Sequence, residues 1–138
     1  AYNKVIAIKP ADGSAYYYRA RAKSYLAKDN QLSDADREKN LLGAIVDFTK
    51  AIAIDPNDTQ NNTKFYQNRA IAYREYGEFK LQANTHFYDK NRGINSLKAS
   101  INDFQKVLTD NPKRTDISSL METVKTKLTV VTTTSARH

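Results

Sequence analysis

Ala44-Ile45-Val46-Asp47-Phe48-Thr49-Lys50-Ala51-Ile52 runs toward Pro56, and Ser100-Ile101-Asn102-Asp103-Phe104-Gln105-Lys106-Val107-Leu108 runs toward Pro112. In both stretches the aromatic stands eight residues before the proline. Tyr2-Asn3-Lys4-Val5-Ile6-Ala7-Ile8-Lys9-Pro10 repeats the second half of the same unit. A second element recurs between the prolines: Tyr18-Arg19-Ala20-Arg21-Ala22-Lys23-Ser24-Tyr25 aligns with Tyr66-Gln67-Asn68-Arg69-Ala70-Ile71-Ala72-Tyr73. A two-helix unit cannot bury its apolar face alone, so its recurrence predicts an α-solenoid of antiparallel helix pairs. Stacked pairs build extended concave surfaces rather than chemical pockets, which makes binding the function class to look for.

The elements read as helices. Over residues 15–28, Tyr18, Ala22, Tyr25 and Leu26 recur at the three- and four-residue steps of one helical face. A second helix is expected after Ser33, whose hydroxyl can cap free amides while Asp34 and Asp36 complement the helix dipole. It runs through Leu41, Leu42, Ile45, Phe48 and Ile52 and stops before Pro56, since proline disfavours helical geometry in the residue preceding it. The third helix is expected over residues 63–76, with Phe65, Tyr66, Arg69, Ala70 and Tyr73 inward and Gly77 as the stop. Residues 78–93 show no clean period and read as an insertion packed on the helices through Phe79, Leu81, Phe87 and Tyr88. A fourth helix is expected over residues 95–109. A fifth, over 116–128, carries Ile117, Leu120, Met121, Val124 and Leu128 on one face, and 129–138 read as a frayed tail.

These residues resemble the tetratricopeptide repeat. That pattern asks for a bulky residue, a small one and Tyr on the first helix, then Ala-x-x-x-Phe, a small residue and Pro on the second. Tyr18, Ala22, Tyr25, Ala44, Phe48, Ala51 and Pro56 take those places in repeat one, residues 15–56. Tyr66, Ala70, Tyr73, Ser100, Phe104, Val107 and Pro112 take them in repeat two, residues 63–112. Residues 1–10 form a partial repeat and 116–128 a capping helix, so 1–128 reads as one all-α domain. The family repeat is about 34 residues, whereas Ala44 to Ser100 is 56 and Tyr18 to Tyr66 is 48. The excess falls at junctions between helices, where added length costs little.

Composition narrows the function further. The 138 residues are 40% hydrophobic and contain no cysteine, which excludes disulfides, thiolate metal sites and thiol catalysis. No apolar run reaches membrane-spanning length. The chain opens on Ala1, midway through a repeat unit, the pattern expected of a segment of a longer protein; its compartment is left open. His86 and His138 have no ligand spacing. The glycines (Gly13, Gly43, Gly77, Gly93) are too scattered for a phosphate-cradling loop. Asp34-x-Asp36-x-Glu38 is no calcium loop, because Lys39 stands at its sixth position and Ile45 at its twelfth. Asn61-Asn62-Thr63 is a glycosylation sequon. The expectation is a non-enzymatic module without metal or cofactor.

What the resemblance implies is a groove lined by the first helix of each pair. Tyr16, Arg19, Lys23 and Leu26 fall there in one repeat, and Lys64, Gln67, Asn68, Ile71 and Arg74 in the next. The net charge of +7 and the acid-free run Arg19, Arg21, Lys23, Lys28 point to an acidic or carboxylate-bearing protein or peptide. The same cations also suit a solvated polar face with no ligand. Arg21 and Arg69 fall where some family members place a structural Arg. Lys64 and Asn68 partly match the set with which some members clamp acidic chaperone tails, although Lys23 stands where Asn would. Two further readings stand beside the groove: self-association through the open edge at residues 1–10, and, last, nucleic-acid binding by the basic helices.

Overall fold

The computed structural model of the chain describes residues 13–83 and 85–136. Five helices follow one another: α1 (Gly13–Leu26), α2 (Asp34–Ile54), α3 (Thr59–Lys80), α4 (Lys90–Asp110) and α5 (Thr115–Ala136). No strand occurs among the described residues, and the protein is all-α.

Polar side chains set where the helices begin. Ser33 Oγ accepts from the amide of Asp36, Asp58 from that of Asn61 and Asp89 from that of Arg92, each satisfying a donor with no partner inside its helix. Prolines follow the helix ends: α2 closes at Ile54 with Pro56 beyond, and α4 at Asp110 with Pro112 beyond. Both stops agree with the sequence reading.

Each helix packs mainly on its neighbours in the chain, and the contacts give the direction. Arg19 meets Asp47 while Lys23 lies against Gly43, so α1 and α2 are antiparallel. Glu38 meets Lys80 and Thr49 meets Arg69, which makes α2 and α3 antiparallel. Arg69 meets Asp103 and Gly77 meets Gly93, and α3 and α4 follow the same rule. Two apolar clusters result. One gathers Tyr17, Ala20, Ala44, Phe48, Ala51, Phe65 and Tyr76 from α1, α2 and α3. The other gathers Ala70, Leu97, Phe104, Val107, Ile117, Met121 and Val124 from α3, α4 and α5. Helix α3 serves both, and Phe48 and Phe104 are buried as expected, at 1% and 0% exposure.

The structure corrects several expectations. Gly77 does not stop the third helix, which continues to Lys80 because the buried glycine marks its close crossing with α4. Residues 78–93 are helical at both ends, 78–80 finishing α3 and 90–93 opening α4, and Phe79, Leu81 and Phe87 pack on the two clusters as expected. Helix α5 extends through residues 129–136 instead of fraying, its apolar side seated as predicted on Ile117, Met121 and Val124. On α1 the buried face is Ala15, Tyr17 and Ala20, whereas Tyr18 and Tyr25 are exposed. The expected open edge at Val5, Ile6 and Ile8 lies outside the described residues.

Candidate functional site

The two helix pairs make one set of polar contacts twice. Arg19 donates through Nε (2.8 Å) and NH2 (2.6 Å) to Asp47. Arg69 donates through Nε (2.7 Å) and NH2 (2.9 Å) to Asp103. Each guanidinium lies over the tyrosine three residues earlier, Tyr16 at 5.6 Å and Tyr66 at 5.5 Å. A lysine from the second helix lies over the same ring: Lys50 on Tyr16 and Lys106 on Tyr66. Tyr16 therefore corresponds to Tyr66 and Ala20 to Ala70. The tyrosine alignment of Tyr18 with Tyr66 was displaced by two residues.

That displacement changes the candidate groove. Arg19 and Lys23 both engage Asp47, Lys23 Nζ at 2.9 Å, on the side of α1 that faces α2. Burial works against the Asp47 charge, but hydrogen bonds from Arg19 and Lys23 outweigh it and hold the carboxyl below its usual range. Both cations therefore have Asp47 as a carboxylate partner within the chain, and the Tyr16 ring lies beside Arg19. Gln67 accepts from Arg114 NH2 at 3.2 Å and so faces α5. Leu26 is exposed at the C-terminal end of α1, beside Tyr25, Lys28 and Asp29. Arg74 Nε is buried with no hydrogen-bond partner among the described residues.

Asn68 and Ile71 line one cleft, and Lys64 lies beside it over the Tyr17 ring. A cleft of about 210 Å³ lies between α1 and α3, lined by Arg21, Ser24, Tyr25 and Lys28 on one wall and Asn68, Ile71 and Glu75 on the other, with Phe48 reaching it from α2. Beside it the guanidinium of Arg21 lies 5.6 Å from the centroid of the buried Tyr17 ring, and Lys64 Nζ lies 5.1 Å from the same centroid. Asn68 Nδ2 donates to the Lys64 carbonyl at 2.8 Å and to the Tyr17 hydroxyl at 3.4 Å. Neither Arg21 nor Lys64 has a carboxylate partner among the described residues. Arg21 and Lys64 thus stand as two exposed cations at one aromatic ring, and each can pair with a carboxylate.

Glu75 gives this wall its one acid. Burial pushes its carboxyl up from the usual range and Glu78 adds to the effect, against the opposing pull of Lys28 and Arg74. The cleft is thus cationic beside Tyr17 and mixed in charge toward its other end. Sequence reading missed Ser24, Tyr25, Lys28 and Glu75 as lining residues, and Tyr17 beside them, and read Arg21 as structural. The signal was present in Tyr16-x-x-Arg19 and Tyr66-x-x-Arg69, each answered by Asp-Phe on the following helix, at Asp47-Phe48 and Asp103-Phe104.

No group of three His, Asp or Glu side chains among the described residues is placed to hold a metal ion, and no helix there is long and apolar enough to cross a membrane. No family model, curated protein or solved structure matches the chain.

Proposed function

We propose that the chain is a tetratricopeptide-type solenoid module, non-enzymatic, that holds an acidic segment of a partner protein in the cleft between α1 and α3. The observation that carries this reading is the pair Arg21 and Lys64 on the Tyr17 ring, cationic and without a carboxylate partner among the described residues. Charge-assisted hydrogen bonds from these two and from Asn68 suit a carboxylate, while Tyr25 and Ile71 receive apolar parts of the ligand. The repeated Arg–Asp and Tyr–Lys contacts of the two helix pairs support the repeat reading.

A fluorescent Asp/Glu-rich peptide and its Asn/Gln counterpart test the proposal. The acidic peptide binds, its affinity falls as salt rises, and Arg21→Glu with Lys64→Glu removes binding while the melting temperature stays nearly unchanged, because exposed charges contribute little to stability. Equal binding of both peptides, or an undiminished affinity in the double variant, overturns the reading.

Self-association keeps one specific observation in its favour: Tyr18, Tyr25 and Leu26 are exposed together on α1, at 44%, 78% and 53%. Sedimentation of the wild type and a Tyr25→Ser variant separates the two readings, since only an assembly edge on α1 predicts a mass that falls with the substitution.

A further inference from the structure

A second groove lies on a different side of the molecule, between α2 and α4. It has a volume of about 290 Å³, with Leu42 and Ile45 on one wall, Arg92 and Ala99 on the other, and Tyr73 and Tyr76 of α3 between them. Ile45 and Tyr76 also belong to the first apolar cluster, whereas the outer part of the α2 wall is exposed. Leu42 is 36% exposed and Val46, one turn further along α2, is 49% exposed. The two walls run in the same direction, because α2 and α4 are each antiparallel to α3.

The α4 wall of this groove is cationic, while Asp89 and Glu38 stand at its Arg92–Tyr76 end. Apart from Asp103, which is buried against Arg69, α4 carries no acid between its first residue and Asp110. Its exposed strip next to the groove consists of Asn91, Asn95, Lys98, Asn102 and Gln105. Arg92 stands at the rim with its side chain 63% exposed, 3.7 Å from Asp89 and next to Tyr76. On α2 the nearest acid, Glu38, is taken by Lys80. An apolar trough rimmed by cations and amides is matched by a segment with bulky apolar side chains on one face and carboxylates on the flanks.

We propose that the α2–α4 groove is a second docking surface, for an acidic amphipathic segment of a partner protein. Its apolar side chains seat against Leu42, Ile45, Tyr73 and Ala99, and its carboxylates meet Arg92 and Lys98. The chain then holds two acidic segments at separate places, one between α1 and α3 and one between α2 and α4.

The probe is a labelled synthetic helical peptide with Leu at three- and four-residue steps and Glu elsewhere, compared with the same peptide carrying Lys for Glu, both measured on the Arg21→Glu/Lys64→Glu protein so that the α1–α3 cleft does not contribute. The expected result is saturable binding of the Glu peptide alone, weakened about tenfold or more by Leu42→Asp and by Arg92→Glu. Circular dichroism checks that the variants remain helical, and Arg92→Glu serves alone if Leu42→Asp does not fold. The proposal is overturned by equal binding of the Lys peptide, by an affinity that neither groove variant changes, or by absence of binding at millimolar concentration. Tighter binding of a single-stranded oligonucleotide than of the Glu peptide overturns it as well.

Discussion

A Cβ placed on Gly77 would stand 3.1 Å from the carbonyl oxygen of Gly93, and one placed on Gly93 would stand 3.2 Å from that of Gly77. The two helices approach closely enough here that each glycine leaves room for the other's backbone. Leu97 and Leu81 close the remaining space, Leu81 Cγ at 2.6 Å from the added carbon of Gly93. Gly93→Ala should therefore cost about 1–3 kcal/mol through overpacking. Gly43→Ala is the contrast, because its added carbon meets only the flexible Lys23 side chain, at 3.0 Å. Urea denaturation of both variants checks the ranking; an equal loss at the two positions would refute the close-crossing account.

The two buried aspartates are paired unequally. Asp47 has Arg19 and Lys23, whereas the position matching Lys23 on α3 is Tyr73, and Asp103 has Arg69 alone among the described residues. Removing the sole partner of a buried charge costs about 3–5 kcal/mol. Arg69→Ala should approach that loss, and Arg19→Ala should lose clearly less because Lys23 remains. Arg19→Glu with Lys23→Glu should unfold the chain, as it sets two acids against a carboxylate that is 1% exposed. Thermal melts of the three variants decide the order, and a milder effect of Arg69→Ala than of Arg19→Ala contradicts it.

Asp47 also predicts an acid dependence. Its carboxyl is held below the usual range in the folded state, so the unfolded chain takes up a proton first. The stabilisation is complete above the unfolded value of about 3.9. It is lost as pH falls from there through the folded value. Asp47→Asn should lower the melting temperature at neutral pH and flatten its decline on the acid side. A variant whose acid limb keeps the wild-type slope would remove Asp47 from the account.

Glu75 acts with the opposite sign. Its raised pKa means that the folded state disfavours the charged carboxylate above the folded value and is relieved as pH falls through it. Glu75→Gln should raise the melting temperature at neutral pH, and the gain should fade as the wild-type residue becomes protonated. The same substitution removes the one acid from the α3 wall of the cleft, so an acidic peptide should bind more tightly. Weaker binding to Glu75→Gln would mean that the carboxyl itself contacts the ligand.

Much of the helical layout was legible because its signals are local. Ser33 before Asp34 and Asp36, the prolines at 56 and 112, and the apolar spacing from Ile117 to Leu128 act within a turn or two of themselves. The role of Gly77 was not legible, since a glycine that ends a helix and one that admits another helix look alike in sequence. The first helix failed for a related reason. Tyrosines at 16, 17, 18 and 25 leave more than one apolar face open, and only contact with Phe48 and Phe65 selects Tyr17.

By itself the sequence determined the helical class, the order of the helices, the burial of Phe48 and Phe104, and the basic balance, all of which follow from composition, caps and periodicity. The tertiary structure alone decided which cations remain available to a partner. Arg19 and Arg21 are two residues apart on one helix, and only the spacing Tyr16-x-x-Arg19, shared with Tyr66-x-x-Arg69, hints at which of them is paired. Asp47 comes from another helix and reaches only Arg19 and Lys23, while Arg21 is left on the Tyr17 ring with Lys64 from α3. Ion pairing in a folded chain depends on distances across helices, and those distances are set by packing.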